Sequence, residues 1–156
     1  MAPCISAAGS MHDFSYPVSL TPDESDGGYV VTFPDLPEAI TQGDDAGDAL
    51  GQAADALEEA IAGRIRRGDD IPQPTRPDRG QHVVPVPAQT AAKAALYLAL
   101  REAGWSKRQL AARLRCDEKE VRRLLDPRHP SKLPRLQAAL ATLGKRLAVR
   151  LESEAA

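Results

Sequence analysis

The chain has 156 residues, with 20 Lys+Arg against 22 Asp+Glu and a formal net charge of −2. Hydrophobic residues make up 42%, which excludes wholesale disorder. No apolar run approaches the roughly 20 residues that span a bilayer. The near-neutral total conceals a split. Residues 1–74 carry 14 acidic and 3 basic side chains, a net of −11; residues 75–156 carry 8 acidic and 17 basic, a net of +9. Opposite charge in the two halves points to two small modules with different partners.

Residues 1–10 lack the basic start and long apolar stretch of a secretory signal. They read as a disordered extension, with Met11 as an alternative start to Met1. Cys4 and Cys116 have a spacing that suits neither a disulfide framework nor a zinc site, and a reduced, cytoplasmic setting fits them. Residues 14–20, FSYPVSL, alternate as a strand, and Pro17 places it at an edge or on a bulge. An acidic, turn-rich loop over 21–28 leads to a second strand over 29–33, YVVTF, stopped by Pro34 and Pro37. Residues 39–42 form a short third strand. Asp44 or Asp45 then caps a helix that has Asp48 in its first turn. Its apolar stripe is Ala46, Ala49, Leu50, Ala53, Leu57, Ala60, Ile61 and Ile65. Arg64, Arg66 and Arg67 suit its negative end before Gly68. Pro72, Pro74 and Pro77 exclude regular structure over 68–80, and 82–86 forms a fourth strand. The first module, 11–87, is therefore a β-β-β-α-β unit.

From Ala88 the texture becomes helical, and residues 88–156 hold 15 basic and 7 acidic side chains. A helix over 90–103 ends at Gly104. Two short helices, 106–114 and 118–125, surround a tight turn. Ser131 is an N-cap for a helix over 133–143, closed by Gly144. Residues 146–152, RLAVRLE, alternate strictly and read as a terminal strand. Its apolar residues Leu147, Val149 and Leu151 would pair with the same strand of a second copy, making a homodimer or higher homo-oligomer. The expected class is thus α+β, with an all-α second module that ends in a strand.

The most informative stretch is 107–125, KRQLAARLRCDEKEVRRLL. Leu110, Ala111, Leu114, Val121 and Leu124 have the apolar spacing of a helix-turn-helix. Asp117 stands where the second helix needs a cap. Glu118, Lys119, Arg122 and Arg123 then point outward from a recognition helix, where arginine can reach guanine edges or phosphate. Lys107, Arg108 and Gln109 open the first helix of the pair and suit phosphate contact. Arg128, His129 and Lys132 follow and can clamp the DNA backbone. Arg115 occupies the turn position usually held by Gly, where φ > 0 costs a side chain energy.

Catalysis has little support. His12, His82 and His129 lie apart, without a nucleophile beside them, and no phosphate loop, HExxH or GxSxG occurs. A metal-dependent nuclease needs carboxylates on adjacent strands. FSYPVSL, YVVTF and HVVPV contain none. Asp23, Glu24 and Asp26 sit in a loop, and Asp55, Glu58 and Glu59 on the helix. They read as a solvated acidic surface, with no metal site and no cofactor.

The run SYPVSLTPDESDGGYVVTFPDLPEAITQGDD, followed by a long Ala-rich helix, resembles the N-terminal domain of HicB-type antitoxins. The segment from Ala91 to Leu151 is similar to the helix-turn-helix domain that many of them carry. The signature positions are Gly28, Tyr29, Phe33, Pro34, Asp35, Leu36, Pro37, Gly43 and Asp44. Gly28 and Gly43 suit turns, and Phe33 and Leu36 suit packing. The resemblance implies a partial RNase-H-like fold without nuclease activity. It also implies a partner, a HicA-type toxin, which is a small basic ribonuclease that cleaves mRNA. Tyr29, Asp35 and Asp44 are the candidate toxin contacts. An antitoxin that masks such a toxin and represses its own operon is the first reading. A stand-alone transcription regulator with a ligand-sensing N-terminal domain is the alternative.

Overall fold

A computed structural model of the chain describes residues 11–153. The extension expected over 1–10, with Met1 and Cys4, lies outside the described residues. Two compact units divide the chain. One takes the residues through Ala60 together with Pro72–Val86; the other takes Ile61–Ile71 and everything from Pro87 onward.

In the first unit, β1 (Ser15–Pro22), β2 (Tyr29–Thr32), β3 (Ile40–Gly43) and β4 (His82–Pro85) form an antiparallel sheet of order β3-β2-β1-β4. β1 is therefore an inner strand, which corrects the expectation of an edge or bulge at Pro17. The physical reason is that its two halves pair separately. Residues 15–18 face β4 and residues 19–22 face β2. Pro17, opposite Val83, lies in the half that pairs with β4 alone, so its missing N–H leaves no gap in the β1–β2 ladder.

Tyr16, Val18, Val31, Val84 and Val86 alternate onto one face of the sheet and are buried. Phe33, Leu36 and Ala39 add to this core from the β2–β3 connection. The helix α1 (Ala46–Arg67) contributes Ala49, Ala53, Leu57 and Ala60. The predicted stripe is broader than the buried one: Ala46 is exposed, and Leu50 and Ile65 are half-buried. Asp45 is the cap. Its Oδ1 accepts from the Asp48 N–H at 2.8 Å, while Asp48 Oδ2 accepts from the Asp44 N–H at 2.9 Å.

Two glycines set how closely this unit can pack. A Cβ on Gly28, which has φ +76°, would lie 2.3 Å from the Gly43 carbonyl oxygen. A Cβ on Gly43 would lie 2.3 Å from the Ala49 backbone nitrogen. Gly28 combines a turn with a close approach. Gly43 is no turn residue: it lies in β3, opposite Tyr29, and is small because the first turn of α1 runs against it.

The second unit holds α2 (Ala88–Ala103), α3 (Lys107–Leu114), α4 (Glu118–Leu125) and α5 (Leu133–Thr142). Its core is Ala92, Ala94, Leu96, Ala99 and Leu100 on α2, Leu110 and Ala111 on α3, Val121, Leu124 and Leu125 on α4, and Leu136, Ala139 and Leu140 on α5. A boundary at 87/88 leaves residues 61–71 with the first module; here they pack with the second. Two side chains of α2 account for this. Tyr97 Oη donates to the Asp69 carbonyl at 2.6 Å. Arg101 donates to the Gly68 carbonyl and to Asp70 Oδ1, the latter at 2.7 Å, with its guanidinium 5.4 Å from the centre of the Tyr97 ring.

Residues 143–153 belong to no helix or strand, so the terminal strand expected over 146–152 is not formed. A strand is defined by a paired backbone, and this segment enters no strand pairing among the described residues. Its apolar alternation is left facing water, with Val149 86% and Leu151 98% exposed.

Gly43→Ala is expected to lower stability by about 1–3 kcal/mol, the usual cost of forcing atoms into a packed site. Gly51→Ala, in α1 with nothing within 4 Å of the new methyl, is expected to raise it by about 1 kcal/mol. Urea denaturation of the two variants beside the parent chain measures both.

Candidate functional site

α3 and α4 are eight residues each, separated by Arg115, Cys116 and Asp117. Both begin with side-chain caps. Ser106 Oγ accepts from the Gln109 N–H at 3.1 Å, and Gln109 Oε1 accepts from the Ser106 N–H at 2.7 Å, a reciprocal capping box. Asp117 Oδ1 accepts from the Glu120 N–H at 2.8 Å. Between them Arg115 has φ 55° and is the only non-glycine residue with positive φ among those described. Its N–H reaches the Ala112 carbonyl at 3.3 Å, and the Cys116 N–H reaches the Ala111 carbonyl at 3.1 Å, closing α3 in a left-handed cap. The arginine thus does what glycine does more cheaply.

The predicted nucleic-acid residues gather around this turn. Lys107 and Arg108 are exposed on the first turn of α3. Gln109 is exposed too, but its Oε1 serves the capping box. On α4, Lys119 and Arg123 are exposed and make no ion pair with the described residues. Arg122 Nη2 donates to Glu118 Oε1 at 2.8 Å, so these two arrive as a pair. Val121, Leu124 and Leu125 bury the opposite face of α4. Of the apolar positions in the motif, Leu110, Ala111, Val121 and Leu124 are buried and Leu114 is half-buried. Arg128, His129 and Lys132 are exposed on the segment after α4, where Asp126 Oδ1 accepts from the Arg128 N–H at 3.0 Å.

The surroundings hold residues that pattern reading passed over. Arg135 of α5 donates through Nε and Nη2 to Glu120 Oε1 of α4, the Nε bond being 2.7 Å. Arg113 lies 5.2 Å from the centre of the Trp105 ring. Lys93 of α2 is fully buried, and its Nζ donates to the carbonyls of Arg123 and Leu124 and to Ser131 Oγ at 2.9, 3.1 and 2.7 Å. Burial pushes its pKa down to about 8, with the nearby Asp126 carboxylate opposing the shift. A signal was present: Lys93 stands at helical spacing with Leu96, Tyr97 and Leu100, on the apolar face. Ser131 is not the cap of α5. That position is Lys132, which makes no side-chain cap bond, and Pro134 in the first turn has no N–H to satisfy. The Ser131 hydroxyl serves Lys93 instead. Burial and the charge of Glu120 hold the Cys116 thiol above its ordinary range, which disfavours the reactive thiolate.

The first unit carries the acidic surface. By unit rather than by sequence half, it holds 13 acidic and 2 basic side chains, the latter Arg76 and Arg79, and the second unit holds 9 acidic and 18 basic. Of the candidate contacts here, Tyr29 is half-buried on the core-facing side of β2. Asp35 serves the fold locally. Its Oδ2 accepts from the Thr75 N–H at 2.9 Å and the Thr75 hydroxyl at 3.1 Å, fastening the proline-rich segment. Asp44 is exposed beside the cap of α1. No group of three or more His, Cys, Asp or Glu able to hold a metal occurs among the described residues.

Comparison with known proteins fits a sheet-and-helix unit joined to a basic helical one. Residues 15–95 match the family model described as HicB_like antitoxin of bacterial toxin-antitoxin system. The chain is 36% identical over 134 residues to antitoxin HicB of Escherichia coli strain K12, covering 86% of this chain and 96% of that protein. It is 37% identical over 137 residues to antitoxin HicB 1 of Photorhabdus laumondii, covering 88% and 86%. Antitoxin HicB of Pseudomonas fluorescens is 35% identical over 134 residues, covering 83% and 90%. These relatives are antitoxins of bacterial toxin–antitoxin systems. The chain belongs to the HicB-like antitoxin family.

Arg115→Gly is expected to raise stability by about 0.5–1 kcal/mol, since relief of the left-handed strain outweighs the added freedom of the unfolded chain. Thermal unfolding of the variant, followed by circular dichroism, checks the sign.

Proposed function

We propose that this chain neutralises a HicA-type ribonuclease toxin by direct binding through its acidic unit. Its basic unit represses the operon through a helix-turn-helix formed by α3 and α4. The observation that carries this reading is the coincidence of charge with structure: the sheet-bearing unit has a net charge of −11 and the helical unit +9, in a chain whose residues 15–95 match the antitoxin family model. An acidic surface speeds association with a basic toxin and disfavours wrong partners. It acts as a mask, with no catalytic step of its own. In the basic unit, Lys107, Arg108, Lys119, Arg123, Arg128 and Lys132 are exposed cations around one helix pair, available to phosphate and base edges. A homodimer joined through Leu147, Val149 and Leu151 would present two such helices, as a two-fold operator requires.

The toxin arm is tested by co-expressing the chain with the short reading frame beside its gene. That product is expected to be toxic alone, harmless with this chain, and to co-purify with it. A harmless or separately eluting product overturns the antitoxin reading.

The DNA arm is tested by gel shift on the chain's own upstream region. Arg122→Ala and Arg123→Ala are each expected to weaken binding by about 1–3 kcal/mol if they read bases. Loss of a phosphate contact instead appears as a salt dependence shallower by about 0.9 in slope. Unchanged affinity in both variants removes α4 as the recognition helix.

A further inference from the structure

Lys93 is a buried charge that neither proposed activity uses. Its ammonium faces three acceptors: the Arg123 and Leu124 carbonyls at the C-terminal end of α4, and the hydroxyl of Ser131 before α5. Positive charge at that end of α4 meets the negative end of the helix dipole. Removing one partner of a buried polar network is destabilising, because the groups it served stay behind without a partner. The contribution of Lys93 is therefore local to the acceptors it serves at the end of α4. What it touches is specific: the backbone of Arg123, the residue that offers an unpaired cation to DNA.

We propose that Lys93 is a positioning residue for the DNA surface, a buried ammonium that fixes the end of α4 and makes DNA affinity depend on its proton. The inference rests on the DNA-binding reading above. Other groups near it are accounted for. Asp126, at the end of α4, is the charge that acts on Lys93 and favours its protonated form. Gln89 of α2 holds the Ser131 backbone on both sides, at 3.1 Å each. Arg135 of α5 is engaged by Glu120, and His129 and Lys132 of the connecting segment are exposed.

Loss of the proton keeps the three hydrogen bonds, because the Ser131 hydroxyl can turn and donate to the neutral amine. It removes the positive charge from the negative end of α4 and leaves weaker, neutral hydrogen bonds there. Since burial lowers the pKa of Lys93 to about 8, affinity is expected to fall as pH rises through that value. Exposed lysines lose their protons well above it, near about 10.4.

The test uses the full chain and a duplex that it selects from a random library. Between about pH 7 and pH 9 the parent chain is expected to lose roughly fivefold in affinity, at the low end of ordinary couplings. Lys93→Met, which leaves the three acceptors without a donor, is expected to melt below the parent temperature, to bind more weakly near pH 7, and to show no such pH step. Asp126→Asn keeps the acceptor for the Arg128 N–H and removes the anion, so its step is expected at lower pH. Amide exchange without DNA gives a second readout: Lys93→Met is expected to speed exchange in the last turn of α4 and leave the sheet unchanged. Parent-like affinity and pH profile in both variants overturn the proposal, as does unchanged exchange in α4. A chain that selects no duplex overturns the DNA-binding reading itself, and the exchange result then decides whether Lys93 holds the helix.

Discussion

An eight-residue helix cannot hold itself. Nucleation costs more than two turns of hydrogen bonds return, so α3 and α4 exist only because their surroundings fix them. α4 buries just Val121, Leu124 and Leu125 and leaves its other face to charged side chains. Polar attachments supply the rest. Asp117 satisfies its N-terminal end, Arg135 grips Glu120 from α5, and Lys93 fills the last carbonyls from α2. Each comes from a different element, so the position of α4 is set by the whole unit. The exposed cations of α4 take their orientation from these attachments.

The first unit meets a different constraint. Alanine dominates α1, so the helix can approach closely beside the few large buried side chains Tyr16, Phe33, Leu36 and Leu57. Gly28, Gly43 and the start of α1 are stacked so that each leaves room only for a hydrogen on the next. The signature GGYVVTFPDLPEAITQGDD therefore reads first as a packing code. Asp35 extends the point: it fastens Thr75, and through it the proline-rich return to β4.

The elements were legible because their signals are local. Alternation, proline stops, the Asp45 and Asp117 caps and Gly104 mark ends within one or two residues of those observed. Even the cost at Arg115 was readable, since a helix closed by the left-handed cap needs φ > 0 whatever residue stands there. Three features were not. The inner place of β1 depends on which halves of one strand pair with which neighbour, and a single strand carries no mark of that. The alternation over 146–152 records a tendency to pair, not the presence of a partner. Ser131 has the composition of a cap, but Pro134 removes the need for one and a lysine 38 positions earlier takes its hydroxyl.

The charge split survives its change of boundary, and the reason lies in how the end of α1 is held. Counting by unit moves Arg64, Arg66 and Arg67 out of the acidic module and leaves it Arg76 and Arg79 as its only cations. The stretch that moves is tied down by Tyr97 and Arg101, whose bonds go to the backbone of Gly68 and Asp69 and the side chain of Asp70. Those bonds hold the residues just after α1 to α2, inside the basic unit. Like charges gathered in this way repel, at a modest cost in a solvated surface. Positive charge is almost absent from the first unit, and in the second arginine and lysine outnumber acids two to one. The basic last turn of α1 is therefore counted with the basic unit because the residues that follow it are bonded to Tyr97 and Arg101.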